Sequence, residues 1–384
     1  MITLVKDTID NQDIDKLIDW LKTYPRLTKG SVTIELEQKW SKWLGRKYSI
    51  FCNSGSSANL LMLSALKESG QMKNDKVVVP SVAWATDLAP VMQLGFEPIL
   101  CDSNMEDLSV DLEHLENIFK TQKPSALMFV SVLGLVPDMD RLFNLCSKYD
   151  VALLEDTCES MGCDYKGKKL GTFGKMSSFS TYFGHHISTI EGGFVSTDNF
   201  KLYELLLSLR SHGWDRDLSV RTRVELQKEW NISNFDSMYT FYYPGFNLRS
   251  TDLQAYIGLE QIDKLDNWGL IREKNFNIYQ NLIKNEYWKV KPQENSFVSN
   301  FAYPVIHPNR NEIVKKLQEK DIEVRPMICG SMGTQPFYVK HYEKLELPNV
   351  SIIDKDGFYV PNHPKLTVDE IAFITEIING EISK

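Results

Sequence analysis

Between residues 50 and 200, short apolar runs rich in β-branched and aromatic residues alternate with segments whose apolar positions recur at helical spacing. The runs at 76–79, 97–102, 125–132, 151–156, 177–182 and 193–197 read as strands, and the segments at 57–66 and 139–148 read as amphipathic helices. That alternation predicts an α/β architecture with a mostly parallel sheet and helices on its faces. Past Arg249 the texture changes. A helical pattern at 251–265 continues toward 279, followed by a strand at 301–306, a helix at 311–320, an extended stretch at 323–327 and a last helix at 367–378. This mixture predicts a smaller C-terminal α+β domain. Two N-terminal helical patterns, 13–24 and 33–44, are expected to pack on the body, which divides the chain into residues 1–260 and 261–384.

Length supports the division, since 384 residues with 42% hydrophobic content exceed the roughly 250–300 residues at which single cores stop growing. Lys and Arg number 43 against 51 Asp and Glu, so 43 − 51 gives a net charge of −8, and no basic run is present to neutralise a phosphate backbone. Nucleic acid is thereby excluded as a partner. No window approaches the roughly 18–20 apolar residues of a membrane span, and Met1-Ile2-Thr3-Leu4-Val5-Lys6-Asp7 lacks a charged start followed by an apolar stretch. A cytoplasmic protein is expected. Cys52, Cys101, Cys146, Cys158, Cys163 and Cys329 form no CxxC pair and no zinc spacing, so they read as reduced thiols packed as small hydrophobes, with no metal site.

Candidate chemistry starts at Asn53-Ser54-Gly55-Ser56-Ser57-Ala58-Asn59-Leu60, where small residues precede an apolar helical run. Such a helix start offers free N–H groups, hydroxyls and the positive dipole end to a phosphate, although serine and glycine also make ordinary caps. Leu153-Leu154-Glu155-Asp156-Thr157 is an apolar strand that ends in carboxylates, placed either to meet a ligand at the sheet edge or to cap the next helix. Trp84 follows another strand end and suits either stacking on a planar ring or core packing. Gly245-Phe246-Asn247-Leu248-Arg249 supplies amide and guanidinium donors ahead of the long helix.

Taken together and in order, Gly55-Ser56, Trp84, Glu155-Asp156, Ser180, Glu191-Gly192-Gly193, Asn247 and Thr251-Asp252-Leu253-Gln254-Ala255 resemble one family. It is the DegT/DnrJ/EryC1-type sugar aminotransferase and dehydratase family, which uses pyridoxal phosphate (PLP) on the aspartate-aminotransferase fold, PLP fold type I. The resemblance implies that Gly55 and Ser56 hold the cofactor phosphate with help from Ser180. It further implies that Trp84 stacks on the pyridine and Asp156 pairs with the ring nitrogen. Asn247 would reach the phosphate of a neighbouring subunit, implying a homodimer with shared active sites.

At position 185 ordinary members carry the lysine that bonds the cofactor, and here the residue is His185. A small branch of the family, the 3-dehydratases of nucleotide-linked 4-keto-6-deoxy sugars, resembles this chain in that exchange. It also shares the wording Glu155-Asp156-Thr157-Cys158-Glu159-Ser160, His185-His186 and Gly357-Phe358-Tyr359-Val360-Pro361-Asn362-His363-Pro364. In that branch pyridoxamine phosphate (PMP) condenses with the C4 ketone of the sugar, and a neutral imidazole, with ordinary pKa about 6.5, moves the protons that let the C3 hydroxyl leave. L-Glutamate then restores the amine form and ammonia is released.

The resemblance thus implies a GDP-linked substrate, hexose or heptose, in deoxysugar and polysaccharide or lipopolysaccharide synthesis. It also implies the kind without an iron–sulfur cluster, because no Cys-x-Cys element is present. Adjacent residues on an extended strand face opposite ways, so one histidine of the pair faces the cofactor, and spacing from Ser180 selects His185. Glu159 is expected to orient His185 or contact the cofactor ring, and His212 and Arg249 to lie on the substrate side. Two other readings stay open. One is a sugar-nucleotide 4-aminotransferase; the other is an inactive homologue that binds PLP or a sugar nucleotide.

Overall fold

Seven strands form the central sheet: β1 (Tyr48–Cys52), β2 (Lys76–Pro80), β3 (Glu97–Cys101), β4 (Ala126–Val130), β5 (Ala152–Asp156), β6 (Met176–Ser180) and β7 (Gly193–Thr197). In this computed structural model, which describes residues 1–284 and 286–380, they run in the order β1-β7-β6-β5-β4-β2-β3. The five strands from β6 to β3 are parallel, while β7 runs antiparallel to both β6 and β1. The expected mostly parallel α/β fold is therefore present. Burial of all residues of β4 and β5 follows from helices on both faces, which makes such strands continuous apolar runs. β6 (Met-Ser-Ser-Phe-Ser) is equally buried yet rich in serine; the Ser178 hydroxyl donates to Asn59 Oδ1 and Ser180 Oγ accepts Tyr182 N–H.

Parallel alignment brings the carboxyl ends of β1, β2, β5 and β6 to one edge. Beyond β1, Asn53 and Ser54 turn into the helix Gly55–Glu68, capped by the Ser54 hydroxyl on Ser57 N–H at 3.1 Å. Beyond β2 the chain passes Trp84 into the helix Ala85–Gln93. β1 escapes the sequence pattern: it is a short edge strand buried by the helices Ser31–Leu44 and Phe200–Arg210.

The helix Asp252–Leu282 runs unbroken through residue 260 and joins the two sheets. Its first half packs with Leu36, Trp40, Phe179 and Phe194. Its second half places Tyr279 against Tyr303, ring centroids 4.6 Å apart, in the small sheet of β8 (Ala302–Ile306), β9 (Arg325–Pro326) and β10 (Gly357–Pro361). The N-terminal helix Ser31–Leu44 does pack on this body, and since Gly30 brings no side-chain cap, Asp252 supplies one, accepting Gly30 N–H at 2.7 Å and Thr33 N–H at 3.0 Å.

Three local expectations are corrected. The first helix spans Asn11–Leu21 because Asp10 and Asp13 form a capping box there. The extended stretch at 323–327 pairs only at Arg325–Pro326. The strand expected at 177–182 ends at Ser180, after which the chain turns, with His185 N–H donating to the Tyr182 carbonyl at 2.9 Å.

Candidate active site

A cavity of about 680 Å³ opens at the carboxyl edge of the large sheet and is closed from the other side by the small sheet. Gly55, Ser56, Trp84, Asp156, Glu159, Ser180 and His185, widely separated in sequence, all line it. At one end stands the start of the helix Gly55–Glu68, whose first N–H groups lack intrahelical partners and whose Gly55 lies against Ser180. A Cβ on Gly55 would lie 2.6 Å from Ser180 Cβ and 3.0 Å from Cys158 Sγ, so only glycine leaves this cradle open.

Asp156 ends β5 and is held by two donors, Asn59 Nδ2 on Oδ2 at 2.6 Å and Cys158 N–H on Oδ1 at 2.8 Å. Asn59 is itself aimed by Ser178, whose hydroxyl donates to Oδ1 at 2.6 Å. Asp87, also beside Asn59, has its carboxyl pushed well above the usual range, first by burial and then by the Asp156 charge. Of these two neighbouring acids, Asp87 is the one that burial and the adjoining carboxylate push toward its protonated form. Trp84 is 55% exposed, which leaves its indole free to cover a planar ring rather than filling the core.

The His185 ring is partly open to the cavity, while its Nδ1 is buried with no hydrogen-bond partner among the described residues. Burial lowers its pKa to about 4 against the opposing pull of Asp156, so the imidazole is neutral, in its proton-accepting form, at neutral pH. His186 faces the other way, its Nε2 at 2.5 Å from the Ser299 carbonyl. The reason differs from the sequence argument: the pair sits in a turn, not on an extended strand, and the turn separates the two rings. Glu159 accepts Leu133 N–H at 2.5 Å, and burial lifts its pKa to about 8, making it a neutral acid in the cavity wall.

His212, Asn247 and Arg249 come together outside this lining. Arg249 Nε donates to Asn247 Oδ1 at 3.1 Å, and its Nη2 lies 3.5 Å from His212 Nε2. They sit beside the turn into the cradle helix, since Asn53 N–H donates to the Leu248 carbonyl at 3.0 Å. Other lining residues, Asn59, Asp87, Glu323, Arg325 and Tyr359, are not singled out by sequence reasoning. Asn59 carries one usable signal, lying one turn beyond Gly55 on the same helix face. All six cysteines are free thiols, and Cys158 lines the cavity rather than only packing.

Among known proteins, residues 7–379 match the DegT/DnrJ/EryC1/StrS aminotransferase family. The chain is 36% identical over 347 residues to GDP-4-keto-6-deoxy-D-mannose 3-dehydratase of Yersinia pseudotuberculosis, covering 88% of each chain. Crystal structures of GDP-4-keto-6-deoxymannose-3-dehydratase (ColD) superpose with a TM-score of 0.88. One is a mutant with bound GDP-perosamine, at 30% identity, and covers 98% of this chain and 100% of that one. Another holds a trapped PLP-glutamate geminal diamine, at 31% identity and the same coverage. With its fold, its cavity and this match over nearly all its length, the chain belongs to the DegT/DnrJ/EryC1/StrS aminotransferase family.

Proposed function

We propose that the chain is a PMP-dependent 3-dehydratase of a GDP-linked 4-keto-6-deoxy sugar, with L-glutamate as amino donor. The observation that carries this reading is a neutral, half-buried imidazole at His185, where a lysine amine would capture the cofactor, in a cavity also lined by Gly55, Ser56, Trp84, Asp156, Glu159 and Ser180. The Gly55 cradle, blocked by any Cβ, fits a phosphate, and the twice-anchored Asp156 fits a protonated ring nitrogen. When bound, pyridoxamine phosphate supplies an amine for the C4 ketone and an electron sink for the bonds broken at C3.

The chain's residues do the rest. Asp156 keeps the ring nitrogen charged, Trp84 covers the ring face, and Gly55, Ser56 and Ser180 anchor the phosphate. His185 takes one proton and delivers it to the departing C3 hydroxyl. The net change balances as sugar plus glutamate giving the 3-deoxy-4-keto sugar, 2-oxoglutarate and ammonia.

This reading includes a homodimer in which Asn247 completes the partner's phosphate site and His212 and Arg249 approach its substrate. Support comes from an exposed aromatic patch near this trio, with Phe235 at 76% and Tyr239 at 73% exposure, on a segment bridged to Trp214 through Phe241. Among the described residues no helix is long and apolar enough to cross a membrane, and we place the reaction in the cytoplasm. The test is product analysis after adding GDP-4-keto-6-deoxymannose and glutamate to the PLP-loaded protein. Ammonia with a 3-deoxy sugar supports the dehydratase; an amino sugar would replace it with a 4-aminotransferase, and no turnover with retained binding would leave a binding protein. Mixing His185→Ala and Asn247→Asp subunits should restore partial activity, and no recovery after demonstrated exchange would remove the shared sites.

A further inference from the structure

Arg272, on the helix Asp252–Leu282, is 3% exposed, and among the described residues it makes no ion pair. A buried guanidinium without a carboxylate is unfavourable unless carbonyls solvate it. Here Nη1 faces the carbonyls of Asn300 at 3.5 Å and Phe301 at 3.4 Å and donates to that of Asn362. Asn362, just past β10, returns Nδ2 to Asn300 Oδ1 at 2.6 Å and to the Arg272 carbonyl at 3.1 Å. Asn300 and Phe301 are thus clamped from behind, and Ser299 beside them donates its N–H to Cys163 Sγ at 3.2 Å. They have no slack in front, because a Cβ on Gly134 would lie 2.8 Å from Asn300 Cα.

The same three residues form the seat of the His185–His186 loop. His186 hydrogen-bonds the Ser299 carbonyl at 2.5 Å, and the His185 ring packs against Phe301 with centroids 5.8 Å apart. We propose that Arg272 is a positioning residue for proton transfer: by clamping Asn300 and Phe301, next to Ser299, it holds the seat that keeps the His185 imidazole in place in the cavity. The proposal rests on the dehydratase reading, in which His185 is the base. The groups that face His185 are the Asp156 carboxylate and Cys158 backbone from β5 and its exit, His186 beside it, Phe301, and the Arg272 charge from the long helix, which opposes imidazole protonation.

The experiment compares Arg272→Lys, Arg272→Met, His186→Leu and the double variant Arg272→Lys/His186→Leu. Lysine keeps the charge but ends in a compact ammonium on a shorter stem, without the planar guanidinium that places Nη1 among the three carbonyls. Arg272→Lys should lower kcat about tenfold, with KM and cofactor affinity within about twofold and the His185 titration unchanged. His186→Leu should lower kcat similarly, and the double variant should be no more than about twofold worse than the poorer single, because both act through one seat.

Arg272→Met should also raise the pH at which the His185 ring titrates by NMR, and if it does not fold, Arg272→Lys and His186→Leu carry the test. An independent readout on the cofactor-free protein is the NOE between the His185 and Phe301 rings, which should be lost in Arg272→Lys. Absence of ammonia from the wild type would sink the dehydratase reading, and the NOE alone would then decide this inference. Multiplicative losses in the double variant, wild-type kcat in Arg272→Lys, or a lower Tm with kcat and NOE unchanged would overturn it.

Discussion

Replacing Asp156 by asparagine changes one oxygen for an amide nitrogen, yet the site leaves no orientation in which that amide fits. Both carboxylate oxygens accept from fixed donors, Asn59 Nδ2 at 2.6 Å and Cys158 N–H at 2.8 Å. In Asp156→Asn the side chain would have one acceptor for two donors, so its NH2 must face another N–H. One charge-assisted hydrogen bond is worth about 1.5–3 kcal/mol, which corresponds to roughly 10- to 150-fold. The negative charge offered to a pyridine nitrogen also disappears. Asp87 responds as well: the Asp156 charge is the second cause of its raised pKa, so its carboxyl should ionise at lower pH in the variant, with burial still opposing. Cofactor affinity is to be measured by absorbance titration and turnover by ammonia release at saturating cofactor. Affinity should be modestly reduced and kcat lowered at least tenfold; kcat within about threefold of wild type would remove Asp156 from its assigned role.

His185→Lys should retain PLP through desalting as a yellow protein with a borohydride-fixed mass on residue 185, while the wild type loses PLP on dialysis; a fixed adduct on another lysine of the wild type would refute the base assignment. Gly55→Ala pushes a methyl to 2.6 Å from Ser180 Cβ, an overpacking cost of about 1–3 kcal/mol against a helix-propensity gain of roughly 1 kcal/mol. Lower Tm and weaker PLP binding are expected, and unchanged affinity would argue against the cradle. For the cofactor-free protein, Glu159, raised from 4.5 to about 8, contributes stability that is present at low pH and lost as pH rises across that window. His185, lowered from 6.5 to about 4, contributes stability that is present above 6.5 and lost as pH falls toward 4. Tm against pH should therefore fall on both sides of a maximum near pH 5–6.5. Glu159→Gln should flatten the alkaline limb between 6.5 and 8 and His185→Phe the acid limb, and unaltered limbs would contradict the burial argument.

What the sequence determined by itself is what local pattern encodes. The apolar runs that became β2 and β4 are legible because a strand covered by helices on both faces is largely apolar. Gly55-Ser56 ahead of an apolar helix and Asp156 at a strand end are legible because each lies at an element boundary, while the exchange at His185 is legible through the resemblance to the family. β1 is not legible, since a five-residue edge strand owes its burial to helices far along the chain.

Only the tertiary structure decided how the site is tuned. Asn59, Asp87 and Ser178 reach Asp156 through strand register and helix packing, not through spacing. A turn, not strand alternation, parts His185 from His186. Arg272, Asn300 and Asn362 meet across three elements. The neutral His185, the protonated Glu159 and the raised pKa of the Asp87 carboxyl all follow first from desolvation. Desolvation depends on which atoms from distant segments displace water around a group, and no stretch of sequence contains that information until the chain has packed.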